Sequence, residues 1–116
     1  MSTSENTSLI IVNYNSSQNT NKLLLSLKKY FYLGINEIII IDNNSKDIKN
    51  LNTNDSRVKL IKNSKNFGFA KAVNQGIKES KNNFLILLNP DTIIINGNVL
   101  KTIKLIKDDK NIGVIG

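Results

Sequence analysis

Four short polar stretches hold the residue types that could do chemistry: Asn13-Tyr14-Asn15, Asp42-Asn43-Asn44-Ser45-Lys46-Asp47, Asn66-Phe67-Gly68-Phe69-Ala70 and Asn89-Pro90-Asp91. Their donors are carboxylate, amide, hydroxyl and phenol oxygens. With 0 Cys, 0 His and 0 Trp in 116 residues, the chain has no thiolate or imidazole metal ligand, no Ser-His-Asp triad, no catalytic cysteine and no disulfide framework. Any bound metal is therefore held by oxygen, and acid–base chemistry is left to carboxylates, Lys or Tyr. No Gly-x-Gly-x-x-Gly follows the first apolar run and no Gly-x-x-x-x-Gly-Lys-Ser/Thr occurs, which argues against a dinucleotide site and a P-loop. An anionic group such as a phosphate would instead meet a cation bound at Asp91, lysine side chains, or backbone N–H groups at a helix start.

Charge points the same way, weakly. The net charge is +7, and Arg57 is the only arginine among the 16 basic residues. Readers of nucleic-acid bases lean on arginine forks and aromatic stacking platforms, and this chain has neither a cluster of Arg nor an aromatic stripe. The scattered lysines suit a solvated surface or a small anionic ligand such as a nucleotide, and no nucleic-acid partner is expected. Asn, Ile and Lys dominate the composition, so an individual Asn or Lys carries little weight.

The four stretches need elements to position them. The apolar runs at 9–12, 37–41, 58–61 and 84–88 read as strands, the first two and the last as continuous runs suited to burial on both faces. Between them, 19–33 has helical spacing through Leu24, Leu27 and Phe31, with Gly34 as its stop, and 69–80 has Ala70, Val73 and Ile77 on one face. The stretch 46–56 reads as a short helix or loop, 98–107 as a helix through Val99, Ile103 and Ile106, and 111–116 as the start of a fifth strand. Strands alternating with helices predict an α/β fold: a mostly parallel, Rossmann-like sheet flanked by helices on both faces. Residues 1–8 form a polar N-terminal segment, with the domain in 9–116. No apolar run approaches the ~20 residues of a membrane span, and a cytoplasmic location is expected.

In such sheets ligands bind beyond the carboxyl ends of the strands, and three of the four polar stretches follow strand ends directly. Taken singly, each reads as ordinary turn or cap chemistry, because Asn tolerates left-handed backbone and Asp caps helices. Their joint order is more specific. The strand ending in Val12-Asn13-Tyr14-Asn15, the run Ile41-Asp42-Asn43-Asn44-Ser45-Lys46-Asp47, and the series from Asn66 through Asn74-Gln75-Gly76-Ile77 to Leu88-Asn89-Pro90-Asp91-Thr92 together resemble family 2 glycosyltransferases of the GT-A fold, closest to rhamnosyltransferase-like members. The likeness covers nearly the whole chain from Leu9.

That resemblance implies a role for each stretch. Tyr14 would lie along the nucleotide base, with Val12, Asn13 and Asn15 close by, and Asp42 or Asn43 would hydrogen-bond base or ribose. Asn66, Gly68, Lys71 and Asn74 would lie near the sugar diphosphate. Asn89, Pro90 and Asp91 occupy the family's metal motif, so Mg2+ or Mn2+ would be held by Asp91 and Asn89, with Asn89 replacing one carboxylate of the full motif. The implied activity is inverting transfer of a sugar from a UDP- or dTDP-linked donor to a hydroxyl of a glycan or lipid-linked acceptor, in cell-surface polysaccharide synthesis.

The chain is read as the truncated nucleotide-binding half, ending at Gly116 without the acceptor half. Asp108 and Asp109 are the only acids after Asp91, and neither is expected to be the general base. That base is expected beyond Gly116, so no catalytic residue is assigned within the chain and the chain alone is expected to be inactive. The alternative is a catalytically incomplete nucleotide-binding or self-associating module, a homo-oligomer joined through the truncated sheet edge. A whole enzyme of this kind is expected to be cytoplasmic or peripheral to the membrane.

Overall fold

A computed structural model describes residues 6–30, 34–96, 99–109 and 111–114. Strands β1 (Thr7–Asn13), β2 (Ile35–Asp42), β3 (Val58–Lys62) and β4 (Phe84–Leu88) form one sheet in the order β3-β2-β1-β4, every neighbouring pair parallel. Helix α1 (Ser17–Tyr30), a short 3-10 turn at Ile48–Asn50 and helix α2 (Phe69–Glu79) lie in the successive connections, and helix α3 (Val99–Asp108) follows β4. This is the α/β architecture the alternation of patterns predicts.

Position in the sheet explains the strand sequences. β1 and β2 are central, and every residue of β1 is buried, so both faces demand apolar side chains and the strands read as unbroken Leu/Ile/Val runs. On one face Leu9, Ile11, Ile38 and Ile40 pack against Leu23, Leu24 and Leu27 of α1. On the other, Val12, Ile39 and Ile41 pack against Ala72 of α2. Gly76 brings that helix onto the sheet: a Cβ there would stand 2.7 Å from Ile10 Cγ2. The edge strands differ from each other. β3 turns Lys59 and Lys62 to solvent, whereas β4 exposes Leu85 and Leu87.

Several boundaries depart from the sequence expectations. β1 and β2 are longer than their apolar runs, because the backbone ladder continues under polar side chains: Thr7 pairs with Ile35 and Asn13 with Asp42. α1 starts at Ser17 rather than 19, with Thr20 N donating to Ser16 O at 2.9 Å as its first turn closes. Gly34 turns the chain at φ +90, and Thr7 N donates to its carbonyl at 2.8 Å. The expected helical residues Phe31 and Leu33 lie outside the described residues, as do Asn98 and the side chains of Val99 and Ile103. Residues 111–114 contain no strand: Asp109 accepts from Asn111 N and Ile112 N and closes a turn there. Ile115 and Gly116, the last two residues of the expected fifth strand, lie outside the described residues.

The two ends of the sheet are finished differently. At the amino end the polar groups bond one another. Ser8 Oγ donates to the buried Glu37 Oε1 at 2.6 Å, and Asn82 Nδ2 donates to Ser8 Oγ at 2.9 Å. Lys81 N also donates to Glu37, at 3.0 Å. At the carboxyl end some groups remain open to solvent, and the candidate site lies there.

Candidate functional site

The site begins with a buried amide. Asn13 ends β1 fully buried, beside Asp42 at the end of β2. Its Nδ2 donates to Asp42 Oδ1 at 2.9 Å and to Ser17 Oγ at 3.2 Å, and its Oδ1 accepts from Thr20 Oγ1 at 2.7 Å. Asp42, 2 % exposed, accepts on Oδ1 from Ser45 Oγ at 2.6 Å and on Oδ2 from Ser45 N at 3.0 Å. A buried carboxylate is tolerated only when hydrogen-bonded, and here both oxygens are engaged. The sequence expectation brings Asn13 and Asp42 together, and they do meet, but each side chain faces inward.

On this base stand the exposed residues. Ser45 Oγ accepts from Asn15 N at 2.8 Å, and Lys46 N donates to Asn15 Oδ1 at 2.8 Å, so the loops after β1 and β2 are laced together. Asn15 and Asn44 adopt left-handed backbone, φ 50 and 65, which Asn accepts more readily than most residues. Tyr14, between the buried Asn13 and the laced Asn15, is 48 % exposed. Val12 is buried beneath it, against the α2 face.

The two helix starts at this edge are not equivalent. Asp47 accepts from Ser17 N at 3.1 Å and from Ser17 Oγ at 2.8 Å, so the amino end of α1, where anions are favoured, already holds a carboxylate. The amino end of α2 holds none: its N-cap is Gly68 at φ 88, ψ 166, with no side-chain cap. Gly68 N donates to Asn66 Oδ1 at 2.8 Å, and Ala72 N donates to Gly68 O at 3.2 Å. Asn66, Lys71 and Asn74 are exposed, and the Lys71 ammonium lies 4.5 Å from the Phe67 ring centre with Lys65 at 5.3 Å. Asn43 is buried and reaches this loop, donating from Nδ2 to Gly68 O at 3.2 Å.

β4 delivers the last stretch. Leu88 stands beside Ile11 in register, so 89–91 leave the sheet next to the end of β1. Thr92 N donates to Asn89 O at 3.0 Å, closing a turn around Pro90. Asn89 and Asp91 are exposed and Pro90 is half-buried. Among the described residues no group of three His, Cys, Asp or Glu converges on one point. One carboxylate and one amide oxygen at an open edge fit a hard cation that takes its remaining ligands from water and from phosphate oxygens.

Sequence reasoning did not single out Ser17, Thr20 or Asn63, and it met Gln75 only within the run 66–77 with no role assigned; all four hold this edge together. The available signal was spacing: Ser17 and Thr20 fall on the first turn of a helix that follows a strand end directly. No helix of the described residues is long and apolar enough to cross a membrane.

A four-stranded parallel sheet in the order β3-β2-β1-β4, flanked by helices, is an α/β fold of the GT-A glycosyltransferase type. The chain belongs to glycosyl transferase family 2, whose sequence pattern it matches over residues 8–116. No curated protein matches it. Among solved structures it is similar to S. aureus TarS 1–349, with a TM-score of 0.68 and 23 % identity over 89 % of this chain and 32 % of that one. It is also similar to the mannosyltransferase PcManGT from Pyrobaculum calidifontis in complex with GDP-Man and Mn2+, with a TM-score of 0.64 and 16 % identity over 77 % of this chain and 28 % of that one. The chain therefore spans about a third of the length of these neighbours.

Proposed function

We propose that this domain binds the nucleoside diphosphate sugar of an inverting, metal-assisted glycosyl transfer. The observation that carries the reading is the contrast at the carboxyl edge. Asn13 and Asp42 are consumed in a buried network, and Tyr14, Asn15, Asn66, Lys71, Asn74 and Asp91 stand exposed above it. Tyr14 offers a ring for the base, and the adjacent laced loop holds that ring's backbone in place. The amino end of α2 and Lys71 offer N–H groups and positive charge to the diphosphate, while α1 offers none because Asp47 already occupies its start. Asp91 and Asn89 would hold Mg2+ or Mn2+. That ion, when bound, neutralises the diphosphate and makes it a better leaving group.

In the transfer the acceptor oxygen bonds to the anomeric carbon as the bond to the diphosphate oxygen breaks, and a carboxylate takes the acceptor proton. Asp108 ends α3 and Asp109 follows it, and neither is assigned that task. The donor is UDP- or dTDP-linked, the acceptor a glycan or lipid-linked hydroxyl, and the setting cytoplasmic polysaccharide synthesis at or near a membrane. The GDP-Man and Mn2+ of the mannosyltransferase neighbour support a nucleotide sugar and a divalent ion in general.

The test is calorimetric titration of the chain with UDP, dTDP and GDP, each with and without Mn2+. Binding that strengthens with Mn2+ is expected, and Asp91→Ala should remove that strengthening while leaving the metal-free affinity. Equal metal dependence in Asp91→Ala would refute the metal assignment; no binding by the folded chain would refute the donor site.

A second reading, self-association, is favoured by one observation: β4 is an edge strand among the described residues and exposes Leu85 and Leu87 at 40 % and 48 % with no lysine among its residues.

A further inference from the structure

We propose that Asn63 and Gln75 are positioning residues for this edge, acting through Asn43 on the Gly68 turn that starts α2. Asn63 follows β3 directly and is buried, and Gln75 lies half-buried on α2, so the pair joins a strand end to a helix across the loop between them. The two amides bond reciprocally. Asn63 Nδ2 donates to Gln75 Oε1 at 2.8 Å, and Gln75 Nε2 donates to Asn63 Oδ1 at 2.9 Å. An amide has one accepting and one donating side, so a reciprocal pair admits a single relative orientation. Turning Asn63 over alone would set oxygen against oxygen and N–H against N–H.

With that orientation fixed, the second hydrogen of Asn63 Nδ2 is directed at Asn43 Oδ1, 2.9 Å away. Asn43, 2 % exposed, is thereby turned so that its own Nδ2 meets the Gly68 carbonyl at 3.2 Å. The opposite rotamer would present an oxygen to that carbonyl. Gly68 sits at φ +88, ψ 166, a region that glycine alone enters at little cost and where the chain has no steric preference of its own to hold it. Its carbonyl also accepts the first helical bond of α2, from Ala72 N. The relay Gln75–Asn63–Asn43–Gly68 therefore sets the direction in which the free N–H groups of α2 leave the loop. It contains no charged group, so its control is directional and does not depend on long-range attraction. For nucleotide affinity the inference rests on the donor-site reading; for the geometry of the turn it does not.

Gln75→Met keeps the length of the side chain and removes both bonds of the pair. Two readouts on the whole chain test it: the affinity for UDP and dTDP with Mn2+, and the amide resonances of the Asn43 side chain and of Phe69 and Ala70. If wild type binds, Gln75→Met is expected to raise Kd about tenfold, as when a misdirected helix start loses one hydrogen bond to the diphosphate. The Asn43, Phe69 and Ala70 resonances should move while those of Ile38 and Ile39 stay in place. A merely structural loss would spread across the sheet. Wild-type affinity in Gln75→Met, or unmoved resonances at Asn43 and Phe69, would overturn the proposal. If wild type binds no nucleotide, the donor reading fails and the resonances alone decide. Gln75→Glu, which keeps the accepting oxygen and loses the donor, is the second variant should Gln75→Met not fold, with the same pattern of shifts expected.

Discussion

Asn13 and Asp42 show what a buried polar residue does when its partners are complete. The pair bridges β1, β2 and, through Thr20, the first turn of α1. Neutralising Asp42 without changing its shape tests this directly. Asp42→Asn places an NH2 group against one of the donors Asn13 Nδ2, Ser45 Oγ or Ser45 N, and should cost about 2–3 kcal/mol. Urea unfolding reads the loss as a lower midpoint at unchanged slope, and an unchanged midpoint would mean the network contributes nothing. A second pair is tuned by charge. The Arg57 guanidinium donates to both oxygens of Asp55, at 3.0 and 2.7 Å, and holds its carboxyl below the ordinary 3.8. A depressed folded value means stability that is present above the unfolded value and lost as pH falls through the folded one. Arg57 Nη1 also donates to Ile35 O at 3.2 Å, so protonating Asp55 loosens the partner of that bond as well. Stability measured downward from pH 5 should therefore fall more steeply below about pH 4 in wild type than in Asp55→Asn, which has already lost the contribution. Parallel curves would show that the pair has no share in acid sensitivity.

At the scale of elements, α2 rests on the sheet because Gly76 has no side chain. Gly76→Ala would drive a methyl into Ile10 and should cost about 1–3 kcal/mol, and less in an Ile10→Ala background where the space exists. Thermal unfolding of the two singles and the double gives the coupling; strictly additive losses would mean the helix simply shifts. The elements themselves are readable from sequence to different degrees. β4 ends where Phe84 and Leu88 end the apolar run, and β1 and β2 can be found because central strands leave no position for a polar alternation. Their polar tips cannot be read. Thr7, Asn13 and Asp42 belong to the ladder, yet in sequence they are indistinguishable from the turn residues that follow. The four polar stretches are legible as the components of an edge. Which side chains turn inward is not, because an Asn bonded inside a relay, such as Asn43 or Asn63, has the same letter as one in a solvated turn. Asn111 likewise has the pattern of a strand start and is instead part of a turn closed by Asp109.

At the scale of the whole molecule, the two edges of the sheet differ among the described residues. Lys59 and Lys62 guard β3, and Lys59 is further tied to Glu79 of α2 at 2.8 Å. β4 has no such guard. If its edge mediates self-association, sedimentation should show mass rising with concentration for wild type, and Leu87→Lys should keep the chain monomeric without lowering nucleotide affinity. A wild-type chain that stays monomeric at high concentration removes this reading. The sheet order has one more consequence, for the time course of synthesis. β1 lies between β2 and β4, with Thr7 paired to Ile35 on one side and to Phe84 on the other. The first of these four strands to leave a ribosome is thus among the last to be completed. Closing the long chain segment to β4 costs loop entropy before any contact repays it, which makes such pairings slow. Until then one full edge of Leu9-Ile10-Ile11-Val12 is open, so the nascent chain, more than the finished domain, is the form most exposed to aggregation and to holding by chaperones.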